Sequence, residues 1–351
     1  MKILGIETSC DETAAAVIEG GKNSKKVKLL SNTIASSLSL HAATGGIIPE
    51  VAAREQVKYI IPVIGKTLKE VSIRDVDAIA VTIGPGLIGS LLIGVETAKT
   101  LAYVFNKPII PVNHLIGHIY ANFIGTELTP KRYSLNANIE FPAIALVVSG
   151  GHTDLVLITG HGETNWLGGT RDDAAGEAFD KIGRLLNLPY PGGPSIEKNA
   201  EEGNSKRFNL PKPLINSDNF DFSFSGLKTA ALREILKLKE INNNQLIQTD
   251  IQDICACLQK SIIDVLIHKT LKAASEYKVK SILLGGGVSA NQTLGKRFEL
   301  EIENWKLKIP LFIPEKQLCT DNAAMIATTA FFNYKEMAWQ KLTANPELYF
   351  D

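Results

Sequence analysis

In the segment Pro111, Val112, Asn113, His114, Leu115, Ile116, Gly117, His118, two imidazoles stand four residues apart. If Asn113 caps a helix here, both side chains leave the same face of it. Zinc and iron accept neutral imidazole nitrogens, so a rigid helix with this spacing supplies two ligands to one ion. Gly117 leaves room beside the pair. The same spacing also suits two ordinary helix histidines with hydrogen-bond partners. Leu115 follows His114 where a zinc protease of the HExxH type places its glutamate, so the pair does not advertise metal-assisted hydrolysis. A third ligand is needed. Cys319, Thr320, Asp321 and Asn322 offer a carboxylate at a helix start, where local evidence alone favours Asp321 as a plain N-cap.

Glycine recurs in groups: Gly84 to Gly89, Gly150 with Gly151, Gly168 with Gly169, Gly192 with Gly193, and Gly285 to Gly287. A single pair is usually a turn. Five groups, most of them ending strands or opening helices, suggest backbone that approaches a phosphate or an adenosine. No GxGxxG opens the first βα unit and no GxxxxGK[ST] occurs, which argues against a dinucleotide oxidoreductase and a P-loop ATPase.

The run Asp172, Asp173, Ala174, Ala175, Gly176, Glu177, Ala178, Phe179, Asp180, Lys181 puts acids at positions 173, 177 and 180 on one face of a slim helix. A solvated acidic face is the plain alternative to a ligand-binding one. In Phe222, Ser223, Phe224, Ser225, Gly226, Leu227, Lys228, hydroxyls and a lysine gather at another helix start, which reads either as a cap or as a phosphate holder.

The elements that must position these residues repeat. Ile3 to Glu7 and Ala14 to Glu19 read as strands around the polar turn Thr8 to Glu12, and Ala143 to Ser149 with Asp154 to Thr159 repeat the plan around Gly150 and Gly151. Val76 to Ile83 and Val279 to Leu284 are apolar strands, each running into glycines and then a helix. This suggests a duplicated α/β fold whose two lobes face a cleft. Helical periodicity covers Pro49 to Val71, Ser90 to Phe105, Ala174 to Leu186, Phe224 to Lys239, Ile251 to Tyr277 and Asp321 to Lys341. Glu127 to Glu140 and Asn242 to Asn244 read as loops, the former as a crossing between lobes.

With 351 residues and 45% hydrophobic content, the chain suits two domains. Its 37 basic and 37 acidic residues balance, so any polyanion must be met by local patches such as Lys22, Lys25, Lys26 and Lys28. Cys10, Cys255, Cys257 and Cys319 form no CxxC pair and read as thiols of a reducing compartment. The N-terminus has no signal-peptide pattern and no stretch approaches the roughly 20 apolar residues that span a bilayer, so a cytoplasmic chain with no membrane partner is expected.

With these motifs in hand, the chain resembles from end to end the TsaD/Kae-type family of tRNA threonylcarbamoyladenosine transferases, formerly called O-sialoglycoprotein endopeptidases. The resemblance rests on ETSCDETA at 7 to 14, GGIIPEVAARE at 45 to 55, GPGLIGSLLIG at 84 to 94, PVNHLIGHIYA at 111 to 121 and SGGHT at 149 to 153. It continues through DDAAGEAFDK at 172 to 181, YPGGP at 190 to 194, FSFSGLKTA at 222 to 230, GGGVSAN at 285 to 291 and CTDNAAMIA at 319 to 327. It implies a two-lobed actin-like, sugar-kinase-like (ASKHA) α/β fold of two ribonuclease-H-like domains. The expected boundaries are an N-terminal lobe over 1–126, a C-terminal lobe over 127–321, and a C-terminal helix over 322–351 packing back on the first lobe.

The resemblance further implies His114, His118 and Asp321 as ligands of one divalent metal per subunit, Fe2+ or Zn2+. It implies an adenylate site at Val147, Val148, Ser149, Gly150, Gly151, Asp180, Gly193, Glu197 and Asn291. The implied reaction moves the threonylcarbamoyl group of L-threonylcarbamoyladenylate to N6 of adenine 37 in tRNAs reading codons that begin with A. For that reaction the residues Asp11 and Glu12 are candidates to take the proton or orient the nucleotide. The implied partners are tRNA, a smaller TsaB-like paralogue lacking the metal site, and a TsaE-like P-loop ATPase. The wording of DDAAGEAFDK and CTDNAAMIA resembles the bacterial or organellar branch. Where the family pattern HxxYGGVVPExAxRxH has tyrosine and a last histidine, this chain has Thr44 and Gln56. The rival readings are an ATP-dependent sugar or acetate kinase, which has no need of the histidine pair, a non-catalytic nucleotide-binding scaffold, and the older peptidase.

Overall fold

The computed structural model describes residues 1–38, 40–41, 46–125, 138–243 and 245–350. Its strands fall into two sheets. The first is built from β1 (Lys2–Glu7), β2 (Glu12–Glu19), β3 (Val27–Ser36), β4 (Ala78–Gly84), β5 (Ile109–Asn113) and β6 (Ile124–Gly125) in the order β5-β4-β1-β2-β3-β6. β1 pairs antiparallel with β2 and parallel with β4, with Gly5 opposite Ala16 and Glu7 opposite Ala14. The second sheet takes β7 (Ala143–Val148), β8 (Thr153–Gly160), β9 (Glu163–Gly169), β10 (Ser281–Gly285) and β11 (Leu311–Phe312) in the order β11-β10-β7-β8-β9. The five strands β5-β4-β1-β2-β3 and β11-β10-β7-β8-β9 thus repeat one order, as the duplication in the sequence suggests.

Period-two alternation explains the layers of the first sheet. Ile3, Ala14, Ala16, Ala78 and Ala80 enter one apolar cluster with the helix Ala323–Phe332. Leu4, Ile6, Ala15, Val17, Ile79 and Val81 enter another with the helices Pro49–Thr67 and Ile88–Phe105. Central strands covered on both faces read as near-continuous apolar runs, which is how β1, β2 and β4 are written. The chain forms two compact units, one of residues 1–138, 159–165 and 314–351, the other of 139–158 and 166–313.

Several elements depart from the sequence expectation. β3 and β9 carry mixed polar and apolar residues with much exposed surface, so their pattern gave no strand signal. The helix expected over Asp321 to Lys341 stops at Phe332, because the chain turns back and the Met337 N–H donates to the Ile109 carbonyl at the edge of β5. The helix Ile88–Phe105, with mean hydropathy 1.3, is by length and composition long and apolar enough to cross a membrane, contrary to the expectation that no stretch is. In this fold its Val95, Ala98 and Ala102 pack into the apolar cluster of the first sheet. Most of the segment Glu127 to Glu140, Thr44, and Asn244 of the second expected loop lie outside the described residues.

Candidate functional site

The short helix His114–Tyr120 follows β5 directly, and Asn113 caps it as its sequence position predicts, its Oδ1 accepting from Leu115 N at 2.8 Å. The other end of the Asn113 amide donates to the Tyr349 carbonyl, tying the C-terminal tail to the helix start. His114 and His118 are buried, with ring centroids 4.7 Å apart and planes at 78°.

Asp321 completes the group. Its Oδ1 lies 3.5 Å from His114 Nε2 and 3.3 Å from His118 Nε2, and one ligand atom from each of the three residues lies within 4.8 Å of the others. The neighbouring residue frees Asp321 from capping. Asn322 Oδ1 accepts from Met325 N at 3.0 Å and its amide donates to the Thr320 carbonyl, so the N-cap of Ala323–Phe332 is Asn322.

Two glycines let this helix come close enough to deliver the carboxylate. A Cβ on Gly5 of β1 would lie 2.2 Å from Ala323 O and 2.9 Å from Ala327 N, and one on Gly117 would lie 2.9 Å from Ile326 Cδ1. The room expected beside Gly117 is therefore filled by Ile326 and Met325 of the helix that carries the third ligand.

Charge is concentrated around the group. Burial works against a protonated His114, but the Asp321 and Glu7 carboxylates outweigh it and push its pKa to about 9. Burial likewise opposes a charged Glu7, yet the His114 imidazole holds that carboxyl below the ordinary glutamate range. Glu12 goes the other way: burial and then the negative charges of Asp321 and Asp11 push its carboxyl well above the usual range. His118 Nδ1 and Nε2 are buried with no hydrogen-bond partner among the described residues. An orphaned buried nitrogen facing a carboxylate is costly unless a cation sits between them, so the donor set fits a metal ion.

In the second unit the β7–β8 turn is closed by Ser149 N donating to His152 O at 2.8 Å. The helix Ala175–Leu185 starts against it, since a Cβ on Gly176 would lie 2.4 Å from Ser149 O. A Cβ on Gly150, Gly151 or Gly193 would meet nothing within 4 Å.

The chain matches the family model "TsaD: tRNA N6-adenosine threonylcarbamoyltransferase" over residues 28–328. It belongs to that family. A Moorella thermoacetica protein named tRNA N6-adenosine threonylcarbamoyltransferase is 45% identical over 350 residues, covering 99% of this chain and 96% of the relative. A Persephonella marina protein of the same name is 48% identical over 344 residues, covering 96% and 91%. Among solved structures, the activator of 2-hydroxyisocaproyl-CoA dehydratase from Clostridium difficile with bound ADPNP aligns over 94% of each chain at 13% identity and TM-score 0.51. HypF from T. kodakarensis aligns over 94% of this chain and 47% of its own at 14% identity and TM-score 0.57. These likenesses show the fold, the actin-like and sugar-kinase-like class expected from the sequence.

The positions that the family resemblance assigns to adenylate all fall in the second unit, and several already serve the fold. Asp180 Oδ1 accepts from Gly192 N at 2.7 Å at the start of the helix Gly192–Ala200, and burial raises its pKa against that bond. Glu197 Oε1 accepts from Gln292 N at 2.7 Å, and Asn291 caps Gln292–Asn304 while its amide donates to Gln259 Oε1 at 2.9 Å. Val147 and Val148 are buried at the end of β7, where the Val148 carbonyl would lie 2.3 Å from a Cβ on Gly286.

Three readings change. Gly84, Gly86 and Gly89 do stand in GxGxxG spacing where β4 meets the helix Ile88–Phe105. Their space is taken by the protein itself, at Asn345 O, Ser9 O and Ala53 Cβ. The acidic face of 173, 177 and 180 is divided: Asp173 and Glu177 grip Lys181 at 2.7 and 2.8 Å, and Asp180 turns to Gly192. The helix start at Ser225 already holds an anion. Asp172 accepts from Phe224 N at 2.7 Å, Ser225 N at 3.1 Å, Ser223 Oγ at 2.6 Å and Ser225 Oγ at 2.7 Å.

Gln56, standing for the family's histidine, has a role that its sequence position did not reveal. Its amide lies 3.0 to 3.2 Å from the carbonyls of Thr8, Cys10 and Glu12 and so holds the turn that carries Asp11 and Glu12. Lys22, Lys25, Lys26 and Lys28 lie at the β2–β3 turn, near the Lys2 end of β1, whereas Glu7 at the other end touches His114. A six-residue strand separates the two ends by roughly 17 Å.

Proposed function

We propose that the chain forms the N6-threonylcarbamoyl modification of adenosine 37 in tRNAs reading codons that begin with A, taking the group from L-threonylcarbamoyladenylate and releasing AMP. Family membership supports transfer to tRNA adenosine, and the observation that carries the site assignment is the convergence of His114, His118 and Asp321 around an otherwise orphaned buried nitrogen. These three residues would hold one divalent ion per subunit, iron or zinc. When bound, such an ion supplies Lewis-acid polarisation of a carbonyl oxygen.

The residues of the chain do the rest. Backbone N–H groups at Gly150 and Gly151, with no side chain to keep ligand atoms away, would receive the adenylate phosphate. Asp180, Gly193, Glu197 and Asn291 would shape the nucleoside side. The N6 amine of adenine is a weak nucleophile, so most of the rate must come from orientation. The proton it loses would pass to Asp11 or Glu12.

We further assign as partners a smaller paralogue without the metal triad and a P-loop ATPase, and the bacterial cytoplasm as location. The test is incubation of the full chain with threonylcarbamoyladenylate and unmodified tRNA, with and without those partners, followed by mass spectrometry of nucleosides. Labelled threonine must appear in adenosine 37, and a chain that binds AMP while transferring nothing in any combination refutes the reading.

A further inference from the structure

Glu7 is the last residue of β1 and is fully buried, a position where a carboxylate is tolerated only if its oxygens are occupied. They are. Oε1 accepts from Ser9 N at 2.5 Å, and Oε2 accepts from Thr82 Oγ1 at 2.6 Å and faces His114 Nδ1 at 3.1 Å. Ser9 Oγ lies 3.2 Å from the same Nδ1. The imidazole of His114 is thus bounded on one side by Glu7 and on the other by Asp321, with Nε2 directed at the ligand group. His118 has no such carboxylate on its far nitrogen among the described residues, since its Nδ1 is buried without a hydrogen-bond partner.

We propose that Glu7 is a positioning residue for the metal centre: by accepting the Nδ1–H of His114 it fixes the tautomer whose Nε2 lone pair points at the ion. The inference rests on His114, His118 and Asp321 holding a metal. A carboxylate on the far nitrogen of a ligating histidine orients the ring and raises its basicity, and its removal weakens metal binding by about 10- to 100-fold.

The hydrogen bonds make Glu7→Gln an informative substitution. Glutamine has nearly the same shape but only one acceptor oxygen. If that oxygen keeps the Ser9 N–H, its NH2 faces Nδ1 and drives the histidine proton onto Nε2, the nitrogen needed for metal. In the flipped orientation the NH2 opposes the Ser9 N–H. Neither orientation reproduces the native set.

The full-length wild type, E7Q, Glu7→Asp and Thr82→Val proteins would be stripped and titrated with Zn2+ for affinity and with Co2+ for its ligand-field absorption, alongside melting of the metal-free forms. The wild type is expected to bind one ion per chain. E7Q is expected to bind about 10- to 100-fold more weakly with an altered Co2+ spectrum, and T82V to stay within about threefold because it leaves Glu7 and His114 facing each other. E7D, whose shorter reach withdraws the carboxylate from Nδ1, should weaken binding as E7Q does, and it decides the question if E7Q does not fold. Unchanged affinity and spectrum in E7Q or E7D, even with a lowered melting temperature, would show that Glu7 only ties β1 to β4 and overturn the proposal. A wild type that takes up neither ion would overturn the metal reading as well.

Discussion

In the first unit Gly5 and Gly117 lie against the helix that carries Asp321, so that a Cβ on either would collide with Ala323 or Ile326, whereas in the second Gly150, Gly151 and Gly193 face open space. The ligand group of the first unit is an interior site, made by elements pressed together and bounded by the buried Glu7 carboxylate. The glycine-rich segment of the second is a backbone surface left uncovered. The same residue type therefore does opposite things: it closes one region and keeps the other open. A site of the first kind should fail through its own structure, and a site of the second kind through its ligand.

The largest effect expected is on the interior site. His118→Ala should lower metal affinity by at least about a hundredfold and abolish threonylcarbamoyl transfer, read by metal analysis and by modified nucleoside, with AMP binding by the second unit retained. A variant that keeps both metal and transfer breaks the comparison outright.

Next is proton competition. His114 of the metal-free chain keeps its proton up to a pH of about 9, so a metal must displace it at neutral pH. Apparent Zn2+ affinity should therefore rise by about tenfold per pH unit between roughly pH 7 and 9 and flatten above, in calorimetry with buffers of different ionisation enthalpy. The metal-free fold has the opposite dependence. With a folded pKa above the unfolded value of 6.5, the stability contributed by protonated His114 is complete below 6.5 and is lost as pH rises through about 9.

The glycines give the sharpest contrast. Gly5→Ala should cost about 1 to 3 kcal/mol in denaturant unfolding, since backbone of the helix Ala323–Phe332 must move away. Gly150→Ala should change stability by no more than about 0.5 kcal/mol yet weaken AMP binding. Equal stability losses for the two would dissolve the distinction.

A last, local effect concerns Asp172, whose carboxyl is held below the ordinary aspartate range, against burial, by hydrogen bonds from Ser223, Phe224 and Ser225. Asp172→Ala should cost about 1 kcal/mol near neutrality, as loss of an N-cap does. The sign follows from a depressed folded pKa: the stabilisation is present above the unfolded value of 3.8 and disappears as pH falls through the folded one. Melting curves of wild type and variant should therefore converge below about pH 3. Phosphate binding at the Ser225 helix start in the variant, and not in the wild type, would confirm that Asp172 occupies an anion site.

How far the sequence could be read differs from residue to residue. Asn113, His114 and His118 were legible because capping and i, i+4 spacing are local, set by the geometry of a single turn of helix. The alternation of β1, β2 and β4 was equally local. The choice between Asp321 and Asn322 as cap was not, because adjacent polar residues at a helix start are equivalent until the backbone angle is known. Glu7 left no signal, since a carboxylate closing an apolar strand looks like the start of a polar turn.

Residue types, periodicities and local hydrogen bonds thus determined by themselves a duplicated α/β chain with a metal-competent helix and glycine-rich turns. Tertiary structure decided which carboxylate meets those histidines, which one holds the far side of the ring, which glycines are covered and which helix start is already filled. The physical reason is range. A helical turn or a strand's alternation is governed by neighbours a few residues away, whereas Glu7, His114 and Asp321 meet only because Gly5 lets an alanine-rich helix settle on the sheet. Nothing in a glycine's sequence neighbourhood tells which atoms will come to rest against it.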